Sequence, residues 1–187
     1  MVFIASRIGP IDYAPAEDRK LRRSVRDTIG RLPKPSACDD PLHDPMEDRS
    51  ERIAKMIALI PKDGGSRSAL GKRRQLECHK RCNGFKDVYG RMAWDDVAPT
   101  ITGGCVNPSK GRFLHPTQNR AITLREAALL QSFPSNYQFA LDRGKFAVAL
   151  MIGNAFPPSF VRAHASQIRR HIQSNGQDNG HLRSNGN

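Results

Sequence analysis

Thr123 with Glu126 three positions on places the tightest local constraint on this chain of 187 residues. The pair forms a capping box: the threonine hydroxyl accepts from a backbone N–H of the first helical turn, and the glutamate reaches back to the cap. Leu124, Ala127 and Ala128 then share one helical face. Phe133-Pro134 ends the helix, because proline cannot continue the hydrogen-bond ladder and restricts the residue before it. "RAITLREAALLQSFPSNY", Arg120 to Tyr137, is therefore a short, bounded helix with flanks. Nothing in it can cut, transfer or oxidise.

The rest of the chain is punctuated in the same way. "VFIAS", Val2 to Ser6, is a short apolar run closed by Gly9-Pro10 and reads as a buried strand. Ser24 and Asp27 cap a short helix that Gly30 can end, with Val25, Ile29 and Leu32 as its apolar face. Residues 33–48 are proline-rich and acidic and read as a crossing loop. Ser50 opens an amphipathic helix in which Ile53, Met56, Ile57 and Ile60 keep helical spacing until Pro61. "DVYGRMAW" alternates, with Val88, Met92 and Trp94 on one side and Tyr89 and Arg91 on the other, and predicts a half-buried strand. "PTITGGC" predicts a second short strand. "KFAVALMIGNAFPP" is an apolar stretch broken by Gly153-Asn154, where Gly153 is either a helix C-cap or a functional glycine. A last amphipathic helix carries Phe160, Val161, His164, Ala165, Ile168 and Ile172. The tail 173–187 is polar and reads as disordered.

Charge narrows the choice of partner. Thirty Lys and Arg against eighteen Asp and Glu give a net +12, which favours a polyanionic partner: nucleic acid or, as the weaker reading, an anionic membrane surface. No apolar run approaches the roughly 20 residues that span a bilayer, and the N-terminus lacks the basic flank of a signal peptide, so the expected compartment is the cytoplasm. The cations Arg67, Lys72, Arg73, Arg74, Lys80, Arg81, Lys86 and Arg91 face only Glu77 and Asp87 and follow the glycine loop "PKDGGSR". Lys62, Arg67 and Arg73 are candidate phosphate contacts. Arg91, Thr100 and Thr102 are either outward-facing strand residues or readers of base edges. Cys38, Cys78, Cys82 and Cys105 are expected as thiols. The rival reading is zinc on Cys78 and Cys82 with Cys105 or His115, but no second close pair completes a tetrahedral site, so no metal is expected.

In order along the chain, these motifs resemble the C-terminal part of a cytosine-5 DNA methyltransferase. "RAITLREAALLQSFPSNY" is similar to that family's ninth conserved block and "IGNAFPP" to its tenth. "DVYGRMAWDDVAPTIT" and "GRFLHP" resemble the end of its target recognition domain, with Thr100-Ile101 where the family carries Thr-Leu or Thr-Ile. "VFIASRIGP" resembles the strand after its arginine-rich block. The resemblance implies a fragment of a doubly wound α/β fold with a small mixed α+β recognition domain. Residues 1–32 would form the edge of the catalytic domain, 33–119 the recognition domain, and 120–172 the ninth and tenth blocks with a closing helix. It further implies double-stranded DNA as partner and S-adenosylmethionine as cofactor, lined by Asn154 and Ala155.

The departures matter as much. Phe-x-Gly-x-Gly, Glu-Asn-Val and Gln-x-Arg-x-Arg are missing, and none of the four cysteines follows a proline. Methylating cytosine C5 needs a thiolate, an acid, an in-line methyl sulfonium and a base flipped out of the stack. The family's parts for that chemistry are expected on an N-terminal half, encoded upstream of Met1, on another chain or in a lost frame. No catalytic residue is expected here, and the chain alone is expected to be inactive. The alternative is a non-enzymatic DNA-binding protein or a truncated relic.

Overall fold

Short helices joined by long irregular connections follow from the proline and glycine punctuation. The computed structural model describes residues 2–15, 22–45, 49–71, 76–77 and 84–176. Its α-helices are α1 (Val25–Ile29), α2 (Glu51–Leu59), α3 (Leu124–Leu130), α4 (Lys145–Asn154) and α5 (Pro158–Gly176), with 3-10 turns at Pro35–Ala37, Pro41–His43, Arg67–Ala69 and Pro108–Lys110. The chain divides into two units, Arg22–Ala155 and Met1–Leu21 with Phe156–Asn187.

In the larger unit both expected capping boxes form. Ser24 Oγ accepts from Asp27 N at 3.1 Å and Ser24 N donates to the Asp27 carboxylate at 2.9 Å. Thr123 Oγ1 accepts from Glu126 N at 3.2 Å while Thr123 N donates to Glu126 Oε2 at 2.8 Å. Leu124, Ala127 and Ala128 are buried as their spacing predicts. They join Val25, Ile29, Met92, Ile101, Cys105, Phe113, Val148, Ala149 and Ile152 in the main core, so residues before and after 120 share one interior. Met56, Ile57 and Ile60 of the α2 region pack with Leu70, Tyr89 and Leu114 in a second, smaller cluster.

The expected strands do not form. Among the described residues the only bridges are the isolated pairs Arg91–Leu114 and Leu114–Ala121. Tyr89 adopts φ +55°, which breaks the extended run just before the bridge, and the neighbouring backbone groups pair with loops instead: Gly64 N to Met92 O at 3.0 Å and Arg91 N to Gly65 O at 2.8 Å. Tyr89 and Arg91, expected on an outward face, are both buried, because the 60–65 loop covers that side. "PTITGGC" is irregular and runs into a turn. Val2–Ser6 has no regular structure and is neither paired nor buried, with Phe3 84% exposed.

Two helical readings also change. "KFAVALMIGN" is a helix, α4, entered through Gly144 at φ +80°. By length and composition the stretch Lys145–Asn175 is apolar enough to cross a membrane, which the run-length reading missed. Its α4 part, however, has Val148, Ala149 and Ile152 fully buried in the core. α5 continues through Gly176, into the tail expected to be disordered.

A buried polar cluster locks α3 to its surroundings. Arg120 donates to both Glu126 carboxylate oxygens at 2.7 Å, and His43 Nδ1 lies 2.9 Å from Thr123 Oγ1. Arg125 pairs with Asp40 at 2.5 Å and donates to Tyr137 O at 2.9 Å. His115 Nδ1 accepts from Thr117 N and Gln118 N at 3.2 and 3.1 Å, and its Nε2 lies 3.9 Å from Glu126 Oε1. Burial pushes the His115 imidazole down to about 4, against the pull of the Glu126 carboxylate. Burial is the largest single influence on Glu126 and opposes its charge, but the Arg120 hydrogen bonds, the Arg120 charge and the Thr123 N–H together outweigh it and hold that carboxyl below its usual range.

The signs for acid unfolding follow. A histidine held neutral in the fold takes up a proton on unfolding once pH drops below about 6.5, so stability falls as pH goes from about 6.5 to 4. The loss is roughly 3 kcal/mol if His115 acts alone, and the ion-paired Glu126 adds to it only at lower pH. Melting temperature measured across pH 4.5–6.5 should decline in the native chain. His115→Asn, which keeps an acceptor near Nδ1 but does not titrate, should flatten that decline.

Candidate nucleic-acid and cofactor surface

The glycine loop is structural. Asp63 adopts φ +53° and Gly64 φ +86°, which turns the loop back on residues 91–94, where Asp63 Oδ1 accepts from Trp94 N at 2.7 Å. Arg112 crosses the same place, donating to Gly64 O at 2.9 Å, Arg91 O at 3.0 Å and Asp87 Oδ1 at 3.1 Å. The loop amides and carbonyls are thus engaged with protein.

Two of the candidate DNA contacts are corrected by this packing. The Arg91 guanidinium is fully buried and donates to the carbonyls of Ile57 (2.8 Å), Ile60 (3.1 Å), His115 (3.0 Å) and Gln118 (2.5 Å) and to Asn119 Oδ1 (2.8 Å). It has no donor left to offer a base. Arg67 is likewise buried, and its Nη2 donates to Gly84 O at 3.0 Å and Phe85 O at 3.2 Å, so it is not a phosphate contact in this fold. The misreading has a physical cause: a guanidinium that gathers carbonyls looks the same in sequence as one that faces solvent. Lys62 is exposed and bonds the Asn119 side-chain oxygen, and slight burial together with the nearby Arg91 charge lowers its pKa. Lys86, Thr100 and Thr102 are exposed. Arg73 lies outside the described residues, as do Cys78 and Cys82.

The other two zinc candidates are engaged elsewhere. Cys105 is fully buried in the main core, where burial raises its thiol to about 11. His115 is held in the polar cluster.

One contact ties the end of α4 to residues 102–103. A Cβ on Gly153 would lie 2.1 Å from Gly103 N and 2.1 Å from the Thr102 carbonyl carbon, and one on Gly103 would meet the Leu150 side chain at 2.6 Å. Gly153 lies inside the last turn of α4, whose C-cap is Ala155. Backbone therefore crosses backbone here, and neither glycine has room for a side chain. The contact brings the exposed Thr102 and the exposed Asn154 to adjoining positions. The Asn154 amide has no hydrogen bond among the described residues. Ala155 is more committed: its N–H caps α4 on Met151 O and Ile152 O, and its carbonyl accepts from Gln131 Nε2 at 2.8 Å. Ala155 can therefore offer a ligand little beyond its methyl group.

Residues 15–170 match the C-5 cytosine-specific DNA methylase family, and the chain belongs to that family. It is similar to the type II methylase M.HgiDII of Herpetosiphon aurantiacus, 39% identical over 92% of this chain and 51% of the relative. It is also similar to the type II methyltransferase M1.HphI of Haemophilus parahaemolyticus, 31% identical over 90% of this chain and 42% of the relative. DNA (cytosine-5)-methyltransferase 1 of Mus musculus is 34% identical over 52% of this chain and 6% of its own length. The chain thus spans about half the length of these relatives or less.

Gly153→Ala should be costly, since the added methyl would overlap the backbone of another segment. An overpacked site typically loses about 1–3 kcal/mol, and the immovable neighbour here puts the expectation at the upper end. Equilibrium urea unfolding of the two chains measures it.

Proposed function

We propose that this chain is the C-terminal part of a DNA (cytosine-5-)-methyltransferase. In this reading residues 33–119 recognise target DNA, and residues 120–172 carry the ninth and tenth blocks that complete the S-adenosylmethionine site. An N-terminal half bearing the Pro-Cys nucleophile, on the same or a separate chain, supplies the covalent chemistry. The observation that supports the reading is the Gly153–Gly103 crossing, which presses the backbone of Thr102 and Gly103 against Gly153, the residue before the exposed Asn154. An amide that can both donate and accept suits the polar edge of a nucleoside, and the Ala155 methyl suits an apolar one. When bound, S-adenosylmethionine supplies an electrophilic methyl group; the part of this chain is to hold one wall of its site and to orient DNA. Lys62, Lys86 and Arg73 are the proposed phosphate contacts, and Thr100 and Thr102 the contacts to bases or their flanking phosphates. The doubly wound sheet belongs, in this reading, to the other half.

The purified chain should transfer no methyl group to DNA, because none of its cysteines follows a proline, whereas mixing it with a complementary N-terminal half should restore transfer. Methylation by the chain alone would refute the half-enzyme reading. In the assembled enzyme Asn154→Ala should weaken S-adenosylmethionine binding by roughly 5- to 150-fold, the effect of leaving one buried partner unmatched. Calorimetric titration, read beside the melting temperature, separates that outcome from a purely structural loss.

DNA affinity of the assembled enzyme should fall steeply with salt, and Lys62→Ala should reduce the slope of log affinity against log salt by about one. Binding that is insensitive to salt would leave these lysines as ordinary solvated charges.

A further inference from the structure

One large apolar side chain of the larger unit is held out of the fold by a backbone conformation that opposes it. Phe85 adopts φ +51°, a left-handed conformation that glycine takes freely and a bulky residue takes only under constraint. Its side chain is 82% exposed, so burial does not offset the strain. The other left-handed side chains answer to the fold. Asp63 accepts from Trp94 N, Tyr89 is buried in the smaller core cluster, and Ser132 closes the end of α3 through its N–H to Leu129 O.

Side chains from outside the turn impose this conformation. The buried Arg67 donates through Nη2 to Gly84 O at 3.0 Å and to Phe85 O at 3.2 Å. Ser66 Oγ donates to Lys86 O at 3.3 Å, and Val88 N closes the turn on Phe85 O at 3.2 Å. The consecutive carbonyls 84 to 86 thus all accept from the neighbouring pair Ser66 and Arg67. Further along the turn, Arg112 holds the Asp87 carboxylate at 3.1 Å while it donates to Gly64 O at 2.9 Å. A lone exposed ring on a slack loop is ordinary. A ring held clear of the protein by a braced, strained turn is preorganised for a partner.

The chemistry of the turn selects the partner. Gly84, Phe85, Lys86 and Asp87 are all exposed. Arg112 matches the Asp87 charge, so the Lys86 ammonium sets the sign of these four residues. A flat apolar ring next to a cation suits nucleic acid, whose bases offer faces for stacking and whose phosphates flank them. We propose that Phe85 stacks on a base of the target DNA, and that Arg67 is a positioning residue that fixes the ring for this contact. The proposal rests on the reading of residues 33–119 as the DNA-recognising segment. It goes further in assigning a contact that does not depend on charge, and in giving the buried Arg67 a part in DNA binding that needs no phosphate.

The test titrates the full 187-residue chain, alone and mixed with a complementary N-terminal half, into a labelled mixed-sequence DNA duplex over a range of salt, read by fluorescence anisotropy. Phe85→Ala should weaken binding by roughly 5- to 150-fold, the contribution of one base–aromatic stack. The slope of log affinity against log salt should not change, because a ring releases no counterion. Phe85→Leu, apolar but unable to stack, should lose most of the same affinity. Phe85→Trp should keep it, and its emission should be quenched by DNA beyond any change in the Trp94 emission of the native chain. Phe85→Gly relieves the left-handed strain, so it should keep or raise the melting temperature while losing affinity. Arg67→Lys keeps the charge without the guanidinium that reaches both carbonyls. It should weaken binding, and combined with Phe85→Ala it should cost no more than Phe85→Ala alone. Ser66→Ala, which loosens the same turn from outside the core, should couple in the same sense.

Unchanged affinity in Phe85→Ala would overturn the proposal, and a salt slope that still falls with Lys62→Ala would leave the DNA reading standing beside that failure. Full affinity in Phe85→Leu would also overturn it, since plain apolar contact would then suffice. Losses in Phe85→Ala and in the Arg67 and Ser66 variants that simply add would remove the positioning role. Binding to no duplex at any salt, by the chain alone or with its complementary half, would refute the functional reading and the proposal with it.

Discussion

The Arg91 guanidinium holds the larger unit in register. It is buried without a carboxylate, and its donors are spread over four backbone carbonyls and one amide oxygen from two separate segments, 57–60 and 115–119. Ile57 O and Ile60 O sit at the C-terminal end of α2, where the unsatisfied carbonyls and the negative end of the helix dipole favour a cation. Burial pushes the Arg91 pKa down, but an arginine starts so far above neutrality that it stays charged. Removing it would orphan several buried carbonyls together. The 115–119 turn and the end of α2, from which the loop carrying Lys62 continues, are held together by this one side chain.

A second lock governs α3. Glu126 is a helix cap in sequence, but in the fold it is also the counterion of Arg120, and its Thr123 partner reaches the His43 ring, whose Nε2 lies 2.9 Å from Pro33 O. Arg125 leaves the other side of the same helix for Asp40. A seven-residue helix that would be marginal alone is thereby fixed to the proline-rich 33–45 segment on two faces. Breaking such a pair from one side leaves a buried charge uncompensated, at a cost of about 3–5 kcal/mol. The 33–45 segment serves as a clamp on α3.

What could be read from the sequence was local. Both capping boxes, the α2 face and the apolar face of α3 follow from spacings of three and four residues, and they form as expected. The failures are long-range. Period-2 alternation in "DVYGRMAW" is real, but one face of a strand is polar only if solvent lies beyond it, and here the 60–65 loop does. Nothing near position 91 signals that its guanidinium will find carbonyls 24 to 34 residues away. His43 carries no local signal either. At the candidate site the sequence left Gly153 as either a C-cap or a functional glycine, and the crowding that requires it appears only when Gly103 lies across it.

Net charge overstates how much of this chain can meet DNA. Four arginines, Arg67, Arg91, Arg120 and Arg125, are interior and serve the fold, so they contribute to the field of the molecule without being able to touch a phosphate. Since counterion release counts contacts and not formal charge, the proposed DNA surface is narrower than a +12 balance suggests and weighted toward exposed lysines. Its connection to the proposed cofactor wall is correspondingly direct. Thr102 and Asn154 are joined through glycine backbone at Gly103 and Gly153, with no side chain between them to absorb a shift by changing rotamer. A displacement of the 101–104 turn must therefore move the end of α4 or break its packing, and the position of Asn154 moves with it.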